Sequence, residues 1–337
     1  MPHASSAATD RREPVRGDRL RVRSRAEILA TLAPDGTVDG LPFMPEMLQF
    51  CGTELPVAAR AHKSCDTIEQ AGDRRLDRTV FLSGARCDGA AHGGCQAGCL
   101  LFWREEWLAW PERPDQPVAP PRSGDGGPLD EPGLHATATA RIDDDGTPVY
   151  RCQATELVRA SAPLRRRELW QYAADLRSRN VGWLRLVRGL LVELFNIYQG
   201  ISVRRLPRRL RIRGGRPYPF LRGTGTGART PTGGIAPGDL VEVRSKAEIE
   251  PTLAPDNHNR RMVFDPEMLP FCGGRFRVDR KVERILDERT GRLMKLADCV
   301  VLEDVFCQGV YHRFCQRSTP PYWRETWLRR LPDATED

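Results

Sequence analysis

Lysine is almost missing from this 337-residue chain, which carries 48 Arg but only 4 Lys. A GC-rich coding bias produces that skew without selection for anion binding, so the net charge of +7 does not by itself name a partner. Histidine is scarce as well. There are 6, and only His92 and His312 recur in a common context, which leaves no visible Ser/His/Asp catalytic arrangement. Long hydrophobic runs are lacking: the most apolar stretch, residues 181–199, is interrupted by Arg185, Arg188 and Glu193, too short and too charged to span a bilayer. Residues 1–16 contain no apolar segment of the kind a secretory signal needs, so the expected location is cytoplasmic. Thiols stay reduced there, and ten clustered cysteines read as metal ligands rather than disulfides.

What the chain does contain is a compact thiol motif. Cys87-Asp-Gly-Ala-Ala-His92-Gly-Gly-Cys95-Gln-Ala-Gly-Cys99 sets three thiols and an imidazole among Gly and Ala, which let the backbone turn tightly between ligands. Leu-Leu-Phe-Trp103-Arg-Glu-Glu-Trp107 follows directly. The frame returns as Cys307-Gln-Gly-Val-Tyr-His312-Arg-Phe-Cys315, trailed by Trp323-Arg-Glu-Thr-Trp327, with Thr319 in place of the last cysteine. Cys65 is the fifth candidate ligand of copy one, and its counterpart in copy two falls at Val282 or Glu283. Cys65 and Cys99 are therefore absent from copy two together, as expected if both serve one site. Two ligand sets follow for copy one: Cys65, Cys87, Cys95 and Cys99 with His92 behind them, or Cys87, His92, Cys95 and Cys99. Zinc is favoured, with an iron–sulfur cluster as the alternative, because neither common ferredoxin spacing occurs. In copy two Cys299, eight residues before Cys307, is the candidate fourth ligand beside Cys307, His312 and Cys315. Degeneration of that site into small buried residues is the competing reading. Cys51, Cys152 and Cys272 read as packing residues, and the two Trp pairs as seals for the end of a barrel.

The repeat extends beyond the thiols. From Gly17 to Gly52 the second copy follows at a constant offset of 221, matching Ala-Glu-Ile, Thr-Leu-Ala-Pro-Asp and Pro-Glu-Met-Leu-x-Phe-Cys-Gly. Leu20 and Val22 alternate with charged residues as a half-buried strand does. The predicted fold class is α+β: two repeated small antiparallel β-barrel modules, residues 17–110 and 238–331, flanking a central helical segment. Residues 1–16 are expected to be disordered, 111–135 and 214–237 to be Pro- and Gly-rich linkers, and 332–337 to be an acidic tail. Between them, residues 136–213 are expected to form a hairpin and then helices over 165–179 and 181–199. The second helix is amphipathic and is expected to bury its apolar side in the protein, with peripheral membrane contact disfavoured. Gly223-Thr-Gly-Thr-Gly227 lacks the helix or Lys-Ser/Thr that a phosphate-cradling loop needs, and reads as linker.

Charge is concentrated in the centre. Between Arg159 and Arg229, 17 Arg meet only Glu168, Asp175 and Glu193, a local +14 that leaves −7 for the rest of the chain. Arg204, Arg205, Arg208, Arg209, Arg211 and Arg213 are the candidate polyanion-binding residues. The Gly-Asp-x-Val-x-Val opening strand, the Met-Leu-x-Phe-Cys-Gly turn and the closing Trp-x-x-x-Trp-Leu resemble Src-homology small barrels of the KOW kind. That resemblance implies the barrel and, given the Cys/His insertion, nothing about its ligand. The Cys87 to Cys99 motif and Cys152-Gln-Ala-Thr-Glu-Leu157 also resemble an uncharacterised bacterial family carrying Cys-Asp-Gly-x-x-His-x-Gly-Cys-Gln-x-x-Cys, which implies no particular chemistry. The functional expectation is a metal-stabilised tandem binding module or scaffold that engages an acidic partner, nucleic acid or protein. An iron–sulfur redox or biosynthetic accessory protein is the alternative. Catalysis is disfavoured, since a saturated ligand set leaves no open coordination position.

Overall fold

The computed structural model describes residues 12–69, 72–112, 129–229 and 234–332. Helix and sheet are mixed, and every strand pairing is antiparallel among the described residues. The N-terminal half begins with β1 (Arg19–Val22) and a one-turn helix, Arg25–Leu29. Ser24 starts that helix: its hydroxyl accepts from Glu27 N while the Glu27 carboxylate accepts from Ser24 N. A 3-10 turn, Pro45–Phe50, precedes β2 (Glu54–Arg60), the hairpin β3 (Ser64–Cys65) and β4 (Asp73–Arg75), then β5 (Thr79–Arg86), β6 (Leu100–Arg104) and β7 (Leu108–Ala109). The sheet order is β6-β5-β2-β1-β7, so the last strand returns to the free edge of the first and half a barrel closes over the core. Phe43 meets Trp103 and Trp107 edge-on, at 6.2 and 5.1 Å between centroids.

The central segment supplies α1 (Glu131–Thr137), β8 (Ala162–Leu164), which extends the β3-β4 hairpin, α2 (Trp170–Arg177) and α3 (Trp183–Arg205). The C-terminal half contains β9 (Leu240–Val243), β10 (Arg275–Lys281), the hairpin β11 (Arg284–Leu286) and β12 (Leu293–Lys295), β13 (Cys299–Leu302), β14 (Trp323–Arg324) and β15 (Leu328–Arg330). Its sheet order, β14-β13-β10-β9-β15, is the counterpart of the first. Registers correspond too: Arg19 faces Pro56, and Leu240 faces Arg277. A bulge falls between Val57 and Ala59 in one half and between Val278 and Arg280 in the other.

The halves interlock through their hairpins. Leu286 is buried in the N-terminal core, with Ile285 and Leu293 packed against it. Gln96 holds the same hairpin: its N–H donates to Arg284 O at 3.0 Å, and its Oε1 accepts from Glu283 N at 2.7 Å and Arg284 N at 3.1 Å. In the other direction, Phe314 packs with Val181 and Leu186 beneath α3. Gly189 makes that approach feasible, because a Cβ there would stand 2.2 Å from the Phe314 ring.

Several expectations about the connecting segments need correction. Residues 12–16 are anchored rather than loose: Arg16 N donates to Ser178 O at 3.0 Å, and Pro14 is buried. Residues 1–11, 113–128, 230–233 and 333–337 lie outside the described residues, so most of the lead-in, much of the first linker and the tail do as well. The rest of the first linker is not extended, because Asp130 caps α1 by accepting from Gly133 N at 2.7 Å and Pro132 suits a first helical turn. The second linker docks: Gly225 N donates to Leu253 O at 2.8 Å, in contact so close that a Cβ would fall 1.8 Å from Pro251 O. Helix 165–179 shortens to α2, while helix 181–199 lengthens to Arg205.

The largest departure concerns α3, whose apolar side faces outward. Trp183, Val187, Leu191, Leu194, Tyr198 and Ile201 form one exposed stripe, and Leu191 and Leu194 keep 61% and 63% of their surface. Beyond the small apolar contact of Leu186 with Phe314, polar residues make the attachment. Asn196 exchanges two hydrogen bonds with the Tyr218 backbone, Gln199 Nε2 donates to Ile212 O and Arg216 O, and Arg185 reaches Gln308 O at 2.6 Å.

Candidate metal centre

The loop between β5 and β6 is closed at its base by Cys87 N donating to Cys99 O at 2.9 Å. Gly89, at φ +73°, turns the chain so that its carbonyl accepts from His92 N and Gly94 N. Any Cβ at Gly89 would lie 2.0 Å from Cys95 O. This fold-back gathers Cys87, His92 and Cys95. His92 Nε2 stands 3.8 Å from Cys87 Sγ, with Cys95 lining the same cavity, while Nδ1 lies 2.8 Å from Glu46 Oε1 on the Pro45–Phe50 turn. A carboxylate behind one imidazole nitrogen and thiols before the other is the arrangement that orients a metal-binding histidine. Glu46 Oε1 also accepts from Ala91 N at 2.9 Å, whereas its Oε2 is buried without a hydrogen-bond partner among the described residues.

Cys87, His92, Cys95, Cys99 and Cys152 line one cavity of about 40 Å³. That volume suits a single ion or a water far better than an organic substrate. Burial pushes the Cys99 thiol up to about 12 and the Cys152 thiol to about 11, and it raises Cys87 as well. Burial would raise Cys95 too, but the His92 hydrogen bond and backbone N–H groups outweigh it and hold that thiol below its ordinary value. For His92 burial opposes the charge, yet the bonds to Cys87, Cys95 and Glu46 prevail and raise it. The donor set fits a borderline-soft ion: Cys87 and His92 stand at ligand distance, and Cys95, Cys99 and Cys152 line the same cavity.

Copy two repeats the loop backbone. Cys307 N donates to Thr319 O at 3.0 Å, and Gly309, at φ +68°, presents its carbonyl to His312 N and Phe314 N. Glu267, the counterpart of Glu46, accepts from Gln308 N and Tyr311 N. His312 differs. Its Nε2 turns to Asp265 at 3.0 Å, a contact that raises its titration to about 9. Glu267, Cys307 and His312 offer ligand atoms within 4.8 Å of one another, as Glu46, Cys87 and His92 do in copy one.

Two sequence-derived ligands are placed elsewhere. Cys65, grouped with copy one from the sequence, lies against copy two: its N–H donates to Cys315 Sγ at 3.0 Å. The reason is the interlocking of hairpins. Leu286 N donates to Cys95 Sγ at 3.2 Å, so the counterpart of Cys65 is Leu286 rather than Val282 or Glu283. Cys299 packs with Val282 and Val301, donates to Ala297 O at 3.2 Å and accepts from Arg324. Sequence reasoning missed Glu46, Glu267 and Asp265, although the Pro-Glu-Met-Leu repeat marked the first two, and it classed the cavity-lining Cys152 as packing.

Of the basic candidates, Arg204 and Arg205 end α3, while Arg208, Arg209 and Arg213 follow it, all exposed. Arg211 is half-buried, donating from Nε to Leu206 O at 2.7 Å. Among the described residues, no carboxylate pairs with any of the six. Trp103, Trp107, Trp323 and Trp327 are fully buried, which removes them as stacking platforms for bases. Compared with family models, curated proteins and solved structures, the chain matches none.

Proposed function

We propose that this protein is a metal-stapled scaffold of two duplicated small barrels that docks on an anionic membrane surface through α3 and the arginines after it. The shared strand order, register and bulge support the reading of duplicated barrels of the Src-homology kind. The Glu46–His92–Cys87–Cys95 arrangement supports zinc as the staple.

The observation that carries docking is the exposed apolar stripe of α3 running into an arginine block that, among the described residues, no carboxylate pairs. Six half-exposed side chains at roughly 1 kcal/mol each, plus about 1 kcal/mol per Arg near anionic lipid, suffice for reversible binding. Residues 181–199 read as too short and too charged to span a bilayer, but α3, lengthened to Arg205, is long and apolar enough by length and composition; its polar face, however, is bonded to Tyr218, Ile212 and Gln308. Lying in the interface keeps those bonds. Charge also argues against a second copy on this stripe, since parallel pairing would set one arginine block against another.

Co-sedimentation tests the reading. The full chain should pellet with phosphatidylglycerol-containing vesicles and not with phosphatidylcholine alone, and either Leu191→Glu/Leu194→Glu or Arg208→Glu/Arg209→Glu should release it. Equal vesicle binding by the leucine variant would remove the α3 stripe from the contact and overturn the reading, and tight salt-sensitive binding to single- or double-stranded nucleic acid without vesicle binding would transfer the arginine block to a polynucleotide and overturn it as well.

One observation favours an iron–sulfur reading: Cys87, Cys95, Cys99 and Cys152 bring four thiols to one cavity. An ultraviolet–visible spectrum with metal analysis, on protein purified without oxygen, separates the two. Visible sulfur-to-iron absorption would replace the zinc assignment.

A further inference from the structure

Copy two looks depleted because Thr319 replaces the final cysteine and Cys299 faces Arg324. A different thiol stands in the gap. Cys65, on the β3-β4 hairpin of the N-terminal half, reaches across the seam between the halves to Cys315, its N–H donating to Cys315 Sγ at 3.0 Å. Cys307 and His312 share a ligand-distance cluster with Glu267. Cys65 and His312 both line an open cavity of about 720 Å³, and Cys307 and Cys315 both line another of about 300 Å³.

We infer that Cys65, Cys307, Cys315 and His312 form a second metal site, shared between the two halves of the chain, which takes a borderline-soft divalent ion such as zinc. Three thiolates and one imidazole make a four-ligand structural set. Asp265 fixes the His312 ring through Nε2, leaving Nδ1 as the available ligand atom. Three thiolates around a divalent ion carry a net −1; the buried Arg317 lies near both Cys65 and Cys315, although its guanidinium is already paired with Glu288 at 2.8 Å. The equivalent position at the first site is Leu286, which cannot ligate. The two sites therefore differ in kind: the first draws its thiols from its own half and the central segment, and the second requires both halves.

The second site does not depend on the ion chosen at the first, and the experiment isolates it. Cobalt(II) chloride is titrated into the full apo-chain without oxygen, and the sulfur-to-cobalt charge-transfer bands are read in a Cys87→Ser/Cys95→Ser background, where only the second site remains. One equivalent of cobalt should bind with intense thiolate bands. Adding Cys65→Ser should reduce those bands and weaken binding roughly 100-fold, at or beyond what an outer-shell partner contributes. Unchanged bands and affinity on adding Cys65→Ser would overturn the assignment. So would a loss caused by Cys65→Ser in a Cys307→Ser/Cys315→Ser background, because Cys65 would then serve the first site.

If the variants do not fold, alkylation of the wild-type chain decides. Saturating zinc should slow iodoacetamide labelling of Cys65, Cys307 and Cys315 together, and a chelator should restore it. Labelling of Cys65 that ignores zinc while Cys307 and Cys315 are protected would sink the proposal, as would labelling of all three that ignores zinc.

Discussion

Asp175 on α2 offers the sharpest test of how the central segment is tied to the N-terminal half. It is fully buried and faces two partners: Lys63 Nζ, itself fully buried, at 2.6 Å and His62 Nε2 at 3.0 Å. Lys63 has few other ways to be satisfied, since its remaining neighbours include the faces of Tyr172 and Phe314, at 5.1 and 5.7 Å. Asp175→Ala leaves an ammonium in an apolar pocket, a loss of about 3–5 kcal/mol by analogy with other broken buried pairs. That is a factor of roughly 10²–10⁴ in the folded-to-unfolded ratio. Urea denaturation followed by circular dichroism measures it. Because the damage arises from the stranded charge, Asp175→Ala combined with Lys63→Met should recover most of the loss. A single-variant loss below about 1 kcal/mol, the range of exposed pairs, would refute the reasoning. So would a double variant no more stable than the single one.

Three further outcomes are expected. Glu46→Ala should weaken zinc binding at the first site by about 10- to 100-fold in competition with a chromophoric chelator, and unchanged affinity would show that Glu46 does not orient His92. Gly189→Ala should destabilise by about 1–3 kcal/mol in a thermal melt, because the clash with the buried Phe314 ring outweighs the roughly 1 kcal/mol that alanine gains in a helix; net stabilisation would show that the contact yields. Gln153 acts as a surrogate strand, its Oε1 accepting from Phe102 N and its Nε2 donating to Phe102 O, both at 2.8 Å, and to Pro42 O. Gln153→Ala should cost about 2–4 kcal/mol by leaving buried backbone groups unmet, and a loss under about 0.5 kcal/mol would mean that water replaces the amide.

Much of the architecture was legible in the residues because it is written in local chemistry. The alternation of Leu20 and Val22 acts within a few positions and was read directly, whereas the capping boxes at Ser24 and Ser245, equally local, were not singled out. Cys87, His92 and Cys95 were equally legible, since glycines between close ligands restrict how the loop can turn. The anchoring of residues 12–16 and the docking of the second linker were not, because both depend on surfaces distant in sequence.

What the sequence by itself determined is the local strand pattern, which the structure builds into two five-stranded sheets of corresponding order, and the near-sequence part of each thiol cluster. Tertiary structure alone decided the destination of Cys65 and the outward face of α3. A thiol serves whichever loop the packing of its hairpin brings near, and interlocking carried Cys65 across the seam to Cys315. An amphipathic helix marks two faces but not which one meets the protein; Asn196, Gln199 and Arg185 found backbone partners, and the apolar stripe was left outward.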